Sequence, residues 1–182
     1  MLSANARIDT PHHWMSKWWT WPINARGVLY YSSDVEDDKQ QLIYLLGNPA
    51  AIWLVLAGVL TGFVVLFMYC RCRAGHDAFF PNWVRAFAAT LAYTCIIWLL
   101  NLLPYILVSR AAFVYHYMPA LLYAELATAI VVDKLSGKYL NTVAQVLGGV
   151  VLAVWLMFSP WVYGIPMSKD YHASLRWMKG WD

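Results

Sequence analysis

Residues 49–69 read PAAIWLVLAGVLTGFVVLFMY, a run without a single charged side chain. A helix crosses the hydrocarbon of a bilayer with about 20 mostly apolar residues, so this run predicts a membrane span. Three further runs meet the same length, at residues 84–107, 112–132 and 142–163. The chain is also 61% hydrophobic and only 13% charged, which is typical of membrane proteins. The sequence therefore predicts an all-α integral membrane protein with four transmembrane helices.

The parts outside these spans are polar and rich in aromatic residues. Residues 1–48 hold four tryptophans between positions 14 and 21. Tryptophan favours the headgroup layer, where the ring is half apolar and its N–H stays wet. We therefore expect three regions: an aromatic-rich interfacial segment over 1–48, a four-helix membrane domain over 49–163, and an extracytoplasmic tail over 164–182.

The basic residues of the short loops predict the orientation in the membrane. The loop after the first span holds Arg71 and Arg73, and the loop after the third span holds Lys134 and Lys138, whereas the link between the second and third spans holds only Arg110. Cytoplasmic loops carry an excess of Lys and Arg. The lead segment, Arg110 and the tail are therefore expected outside, in the ER lumen or at the bacterial exterior.

Several function classes find little support in the sequence. The net charge of +3 is scattered, so no basic stripe points to nucleic acid. Cys70 and Cys72 lack a second Cys/His pair, and we expect neither a metal site nor a disulfide. The acidic run at 34–38 adjoins Lys39 and two glutamines and predicts a solvated turn rather than a general base. No nucleophile elbow, phosphate-binding glycine loop or HExxH pattern occurs.

Two residues near the outer ends of the spans are candidates for ligand binding. Arg110 offers a planar fork of donors that suits phosphate oxygens, although a snorkelling or topology-setting arginine remains an alternative. His116, Pro119 and Tyr123 share one helical face, which places an imidazole below the surface. A buried, hydrogen-bonded histidine is the alternative for His116.

Other residues in the spans point to packing. Glu125 is the one acid in the middle of a span and predicts an interhelical hydrogen bond. Gly58 and Gly62 have the spacing that lets another helix of the chain approach closely. Asn101 lies near a proline that we expect to bend the second span around a cavity.

Three segments carry a family resemblance. SKWWTWP at 16–22, YLLGNP at 44–49 and RAAFVYHYMPA at 110–120 resemble, in order and spacing, the C-terminal region of the protein O-mannosyltransferases. These are dolichyl-phosphate-mannose or polyprenyl-phosphate-mannose protein mannosyltransferases of glycosyltransferase family 39. The resemblance implies the C-terminal part of a GT-C type fold and transfer of mannose from a lipid phosphate to Ser or Thr of secretory proteins.

The resemblance also assigns tasks to residues of this chain. It implies that Arg110, His116 and Tyr123 bind the lipid-phosphate donor. The supporting residues are Trp18, Trp19, Trp21, Asn101 and Glu125. The family's catalytic Asp-Glu pair belongs to an N-terminal region that is not in this sequence, so no catalytic residue is expected here. No metal or cofactor is expected either, since the polyprenyl-phosphate mannose is a substrate.

The implied partners are the bilayer, the polyprenyl-phosphate sugar, a secretory acceptor protein, and the N-terminal catalytic part or a homologous subunit. The implied location is the endoplasmic reticulum membrane, with a bacterial plasma membrane as the alternative. A non-catalytic four-span protein that binds a lipid phosphate or a partner glycosyltransferase is the second hypothesis. A channel or transporter is a weaker one, because one acid and one histidine form no ion path.

Overall fold

Four long helices dominate the computed structural model, which describes residues 12–75 and 80–181. They are α1 (Pro49–Gly75), α2 (Asn82–Leu102), α3 (Met118–Ser136) and α4 (Leu140–Tyr163). The other elements are a short helix α5 (Lys169–Ser174), short 3-10 helices, and three strands, β1 (Val28–Glu36), β2 (Lys39–Leu45) and β3 (Met167–Ser168). The mostly helical fold is as predicted. The all-α prediction is wrong, because the described part of the chain contains a three-stranded sheet.

In the part of the chain that the structure describes, three helical segments are long and apolar enough to cross a membrane. They are Pro49–Ala74, Asn82–Leu107 and Val114–Tyr163, of 26, 26 and 50 residues. The third segment contains both α3 and α4, which a short 3-10 turn joins at Gly137, a glycine with a positive φ of 50°. The chain is thus an integral membrane protein, and the first and second predicted spans have direct counterparts.

Prolines change the type of helix within two of the spans. The second span ends at Leu107 as predicted, but α2 ends at Leu102 and a 3-10 helix covers Leu103–Leu107. Pro104 has no N–H for the α-helical ladder, so the tighter turn takes over. The third span is predicted from residue 112; the helical segment begins at Val114 with a 3-10 turn, and α3 follows from Met118 with Pro119 in its first turn. Proline is well suited to that position, where its missing N–H is not needed.

The lead segment forms a β-hairpin that the sequence analysis missed. β1 and β2 pair antiparallel, and β3 from the C-terminal tail adds to β2. Leu42 and Tyr44 are buried while Ile43 between them is exposed, which is the two-residue period of a half-buried strand. This two-residue alternation is confined to residues 42–44, and the aromatic composition of residues 1–48 favoured an interfacial segment over a strand.

The acidic run lies at the tip of this hairpin and is exposed, as a solvated turn requires. Lys39 Nζ lies 2.8 Å from a carboxylate oxygen of Glu36, and Lys169 Nζ lies 3.4 Å from a carboxylate oxygen of Asp34. The hydrogen bond to Glu36 and its charge raise the pKa of Lys39 above its ordinary value. Such exposed pairs contribute little to stability.

Helices α1, α2 and α3 pack around a membrane core that small residues bring close together. Ala120, Ala124 and Ala127 are fully buried on one face of α3. The Thr128 hydroxyl donates to the Val55 carbonyl of α1 at 3.1 Å, in addition to its own helix. Small residues and hydroxyl groups are the usual means by which helices associate in lipid, where no hydrophobic force drives them together.

Gly58 lies directly against Thr128, so the α1–α3 contact depends on its missing side chain. We expect Gly58→Ala to lower the free energy of unfolding by about 1–2 kcal/mol, since the overpacking penalty exceeds the better helix propensity of alanine. Gly148→Ala in α4 is the matched control, because nothing lies within 4 Å of a Cβ there. Thermal unfolding of both variants in the same micelle measures the difference. Equal melting temperatures would show that the two helices can separate without loss.

A second core joins the hairpin, the end of α4 and the tail, and we call it the cap core. Its buried members are Leu42, Tyr44, Leu46, Phe158, Trp161, Met167, Leu175 and Trp181. The Gln41 amide donates to the Gly164 carbonyl at 2.6 Å, which fixes the end of α4 against β2. Within the described residues, the predicted tail is therefore packed against the lead segment rather than separate from it.

Candidate functional site

The stretch around Arg110 and His116 lies in the link between α2 and α3. Arg110 is at an exposed bend, residues 111–113 have no regular secondary structure, and Phe113 is extended before the 3-10 turn Val114–Tyr117 begins. The His116 Nδ1 atom lies 3.1 Å from both the amide nitrogen and the carbonyl oxygen of Phe113. The imidazole thus closes the turn that precedes α3. Its orientation is fixed by the backbone three residues earlier.

His116 is also the centre of an aromatic cluster, which we define as Trp21, Tyr105, Phe113, Tyr115 and His116. The Tyr115 and Trp21 rings stack near the imidazole, with centroids 4.5 and 6.1 Å away. Tyr105 meets both the imidazole and the Trp21 indole edge to face, at 5.5 and 4.8 Å. Such pairs are favourable beyond the area they bury. The cluster thus forms a wall of packed rings, and its member Phe113 follows Arg110 by three residues in the sequence.

The tryptophan-rich segment is attached to this link by hydrogen bonds. The Ser16 amide donates to the Ala112 carbonyl at 2.8 Å, and the Trp21 Nε1–H donates to the Ser16 hydroxyl at 2.9 Å. Trp18 packs against the membrane core, whereas Trp19 is 52% exposed with Lys17 Nζ 4.8 Å from its ring. Two of the three family-like segments are therefore one structural unit.

The third family-like segment, YLLGNP, positions the start of α1. The Asn48 side chain caps the helix by accepting from the Ala51 amide at 3.2 Å, and it donates to the Val151 carbonyl of α4 at 2.9 Å. The Trp53 indole donates to the Ile23 carbonyl at 3.0 Å, beside the tryptophan-rich segment. Asparagine is among the best N-cap residues, and Pro49 suits the first turn. All three segments thus converge at one end of the bundle.

Asn24 connects these segments, and the sequence analysis did not identify it. It is fully buried, has a positive φ of 57°, and its amide donates to the Gly47 carbonyl at 2.7 Å. Its own carbonyl accepts from the Trp181 indole at 2.7 Å. Asparagine is one of the few residues apart from glycine that adopt positive φ readily. The turn position after WWTWPI was the available signal.

The other predicted residues lie on α2 and α3, below the aromatic cluster. Tyr123 is half-buried against the membrane core. The Asn101 amide donates to the Ile97 carbonyl of its own helix at 2.9 Å. Glu125 is exposed, and its carboxylate has no hydrogen-bond or ion-pair partner among residues 12–75 and 80–181. The predicted supporting residues are thus divided between the helices and the lead segment.

The arrangement suits binding of an anion with an apolar body. Arg110 is exposed, and within the described part of the chain its guanidinium has neither an ion-pair nor a hydrogen-bond partner. No carboxylate belongs to the aromatic cluster, since the acidic run lies at the hairpin tip. In the same described residues, no group of three His, Cys, Asp or Glu side chains is placed to hold a metal ion. The link between α2 and α3 therefore offers a cation, and the cluster offers ring faces and one imidazole but no carboxylate.

Comparisons with known proteins identify the family. Residues 1–181 match the family model described as the C-terminal four TMM region of protein-O-mannosyltransferase. Dolichyl-phosphate-mannose–protein mannosyltransferase 1 of Candida albicans is 30% identical over 193 residues, which is all of this chain and 21% of the relative. Protein O-mannosyl-transferase 2 of Danio rerio is 30% identical over 205 residues, again all of this chain and 26% of the relative.

A solved structure shares the fold. The S. cerevisiae protein O-mannosyltransferase Pmt1–Pmt2 complex bound to the sugar donor matches with a TM-score of 0.84 and 24% identity, over 99% of this chain and 25% of the solved chain. The chain thus spans roughly a quarter of the length of the relatives it matches. The resemblance stated from the three segments is confirmed. This chain belongs to the protein O-mannosyltransferase family and corresponds to its C-terminal membrane region.

Proposed function

We propose that this chain is the C-terminal membrane portion of a protein O-mannosyltransferase and contacts the phosphate of the lipid-linked mannose donor. The observation that carries the proposal is the docking of the tryptophan-rich segment onto the link between α2 and α3. Ser16 bonds to Ala112 at 2.8 Å, and Trp21 stacks near His116, while Arg110, two residues before Ala112 in the chain, is exposed. This docked frame thus adjoins an exposed cation.

The donor chemistry fits this frame. Dolichyl-phosphate mannose has a single phosphate diester between a sugar and a long hydrocarbon chain, so its site needs one cation at the membrane boundary. Arg110 supplies two parallel N–H donors for the phosphate oxygens. His116 and Tyr123 would line the slot below it, with Trp18, Trp19 and Trp21 as support from the lead segment. The names of the relatives and the donor in the solved yeast complex agree with this donor class.

We propose further that the 50-residue segment Val114–Tyr163 crosses the membrane twice, so that the domain has four spans. Ala112, just before the segment, accepts a hydrogen bond from Ser16. Gly164, just after it, accepts one from Gln41. Both ends therefore meet the lead segment, and the turn at Gly137 lies at the far end of the bundle. The length also exceeds twice the roughly 20 residues of one crossing.

The lead segment, Arg110 and the tail then face the ER lumen, and Arg71, Arg73, Lys134 and Lys138 face the cytoplasm. We expect an impermeant thiol reagent to label Ser109→Cys and Ser168→Cys from the luminal side of sealed vesicles and to spare native Cys72. Permeabilised vesicles provide the control for reactivity. Labelling of Cys72 in sealed, lumen-side-out vesicles would reverse the orientation.

The partners follow from the same proposal. A homologous subunit is the expected protein partner, since the solved relative is a Pmt1–Pmt2 complex. The acceptor is a Ser or Thr hydroxyl of a secretory protein, and a general base must take its proton during transfer. The family resemblance implies that this base is a carboxylate, the aromatic cluster contains none, and we expect the part of the enzyme outside this chain to supply it.

We therefore expect the purified chain to give no mannosylated product from dolichyl-phosphate mannose and an acceptor peptide. A chimera in which the chain replaces the matching region of the Candida albicans relative should be active. Turnover by the isolated chain that Asp34→Asn and Glu36→Gln abolish would contradict the proposal. An inactive but well-folded chimera that still binds the donor would instead favour a non-catalytic lipid-phosphate protein.

A further inference from the structure

A cationic cavity lies at the opposite end of the bundle from Arg110. It opens between the end of α1 and the beginning of α2 and has a volume of about 600 Å³. Its polar side chains are Tyr69, Arg73, Asn82 and Arg85. Helix α2 has 21 residues, so about 30 Å of helix separates Asn82 at the cavity from the end of α2, and about 15 Å remains beyond Ala92, the last cavity residue. The cavity cannot therefore belong to the proposed donor site.

The charges of this cavity favour an anion. Arg73 and Arg85 both line it, and of the residues that the structure describes no carboxylate does. Among residues 12–75 and 80–181 neither guanidinium has an ion-pair or hydrogen-bond partner. The first residue of α2, Asn82, lies in the same wall, and the positive end of a helix dipole adds to the attraction for negative charge. Two forks of donors in one cavity match the several oxygens of a phosphate group.

The rest of the lining is apolar and continues along the membrane-spanning part of the helices. Leu66 of α1 and Ala86, Ala89 and Ala92 of α2 form this wall. Alanines leave a shallow groove beside α2 because their side chains are small. Such a groove would add nothing to the binding of a free phosphate, whereas an acyl chain would fill it. The occupant that fits both parts carries a phosphate and a hydrocarbon chain.

We propose that this cavity binds the headgroup of an anionic phospholipid, with its phosphate between Arg73 and Arg85 and one acyl chain along the alanine groove of α2. Basic pockets between transmembrane helices are a known means of holding lipid headgroups. The site is independent of the donor site, and its failure would leave the donor proposal unchanged. Each arginine should contribute about fivefold to affinity and the pair about thirtyfold.

Native cysteines provide a sharp test. Cys70 lines the cavity whereas Cys72 does not, both are exposed, and Cys95 is buried. Each single variant leaves one exposed cysteine for maleimide: Cys72→Ser leaves Cys70, and Cys70→Ser leaves Cys72. We expect phosphatidylinositol added to phosphatidylcholine nanodiscs to slow the labelling of Cys70 several-fold and that of Cys72 hardly at all. Equal slowing at both cysteines would indicate only a general surface potential and overturn the proposal.

Charge variants separate a built site from a basic surface. Arg73→Gln with Arg85→Gln should raise the phosphatidylinositol fraction needed for half-protection of Cys70 about thirtyfold. Arg71→Gln is the matched control, because Arg71 lies on the same helix end but outside the cavity. If Arg71→Gln removes protection as fully as Arg73→Gln, the site does not exist. Glycerophosphoinositol, the headgroup without acyl chains, should give no protection. Equal protection by this soluble phosphodiester would show that the acyl chain contributes nothing and would overturn the lipid proposal.

Discussion

Trp21→Ala is expected to lower the free energy of unfolding by about 3–5 kcal/mol, the range for removing a buried large aromatic side chain. Trp21 is 1% exposed, belongs to the membrane core, and contacts both Tyr105 and His116. Its Nε1–H also holds the Ser16 hydroxyl. The substitution therefore leaves a cavity and releases the lead segment from the link between α2 and α3. Chemical unfolding in micelles measures the loss.

Trp19→Ala is the matched control, because Trp19 lies in the same motif but is 52% exposed. We expect its loss to change the free energy of unfolding by less than about 1 kcal/mol. Trp21→Phe should lie between the two, since it keeps a ring beside Tyr105 and loses the indole donor. Similar losses for Trp19→Ala and Trp21→Ala would mean that the motif acts only as an interfacial anchor and not as part of the site.

The second large effect concerns Arg110. A charge-assisted contact to a phosphate in a partly dehydrated site is worth about 1.5–3 kcal/mol, so Arg110→Ala should weaken donor binding roughly ten- to a hundredfold. Arg110→Lys should restore only part of the affinity, because it keeps the charge and loses the fork. Folding should be unaffected, since Arg110 is exposed and bonds to no described residue.

The membrane class and the family were accessible from the sequence because both depend on local patterns. Long apolar runs such as 49–69 fix a membrane span whatever surrounds them. Each of the three family-like segments could likewise be recognised from its own residues. Their convergence at one end of the bundle was not, because it depends on hydrogen bonds between distant residues, such as Asn48 to Val151 and Ser16 to Ala112.

The hairpin and its cap core show why the rest could not be predicted. Only Leu42 and Tyr44 mark the buried face of β2, and β3 has two residues that pair with Lys39 and Gln40. Alternation over three residues in β2 and a strand of two residues in β3 are both too short to predict a sheet from the sequence. For Asn24 the turn after WWTWPI was a local signal, but its bond from Trp181 depends on a tail more than a hundred residues away. Tertiary contacts decided these elements, rather than local propensity.

The central claim is that Arg110 holds the donor phosphate, and a titration with two lipids tests it most directly. Dolichyl-phosphate mannose and phosphate-free dolichol are titrated into the wild-type chain, Arg110→Ala and Lys134→Ala in the same micelle. Lys134 is the control, since it lies near Trp83, at the other end of the bundle, with its Nζ 4.9 Å from that ring. We predict a ten- to hundredfold loss for the phosphate lipid in Arg110→Ala alone and an unchanged affinity for dolichol. Equal affinity of all three proteins for dolichyl-phosphate mannose would contradict the claim and reduce Arg110 to a residue that sets topology.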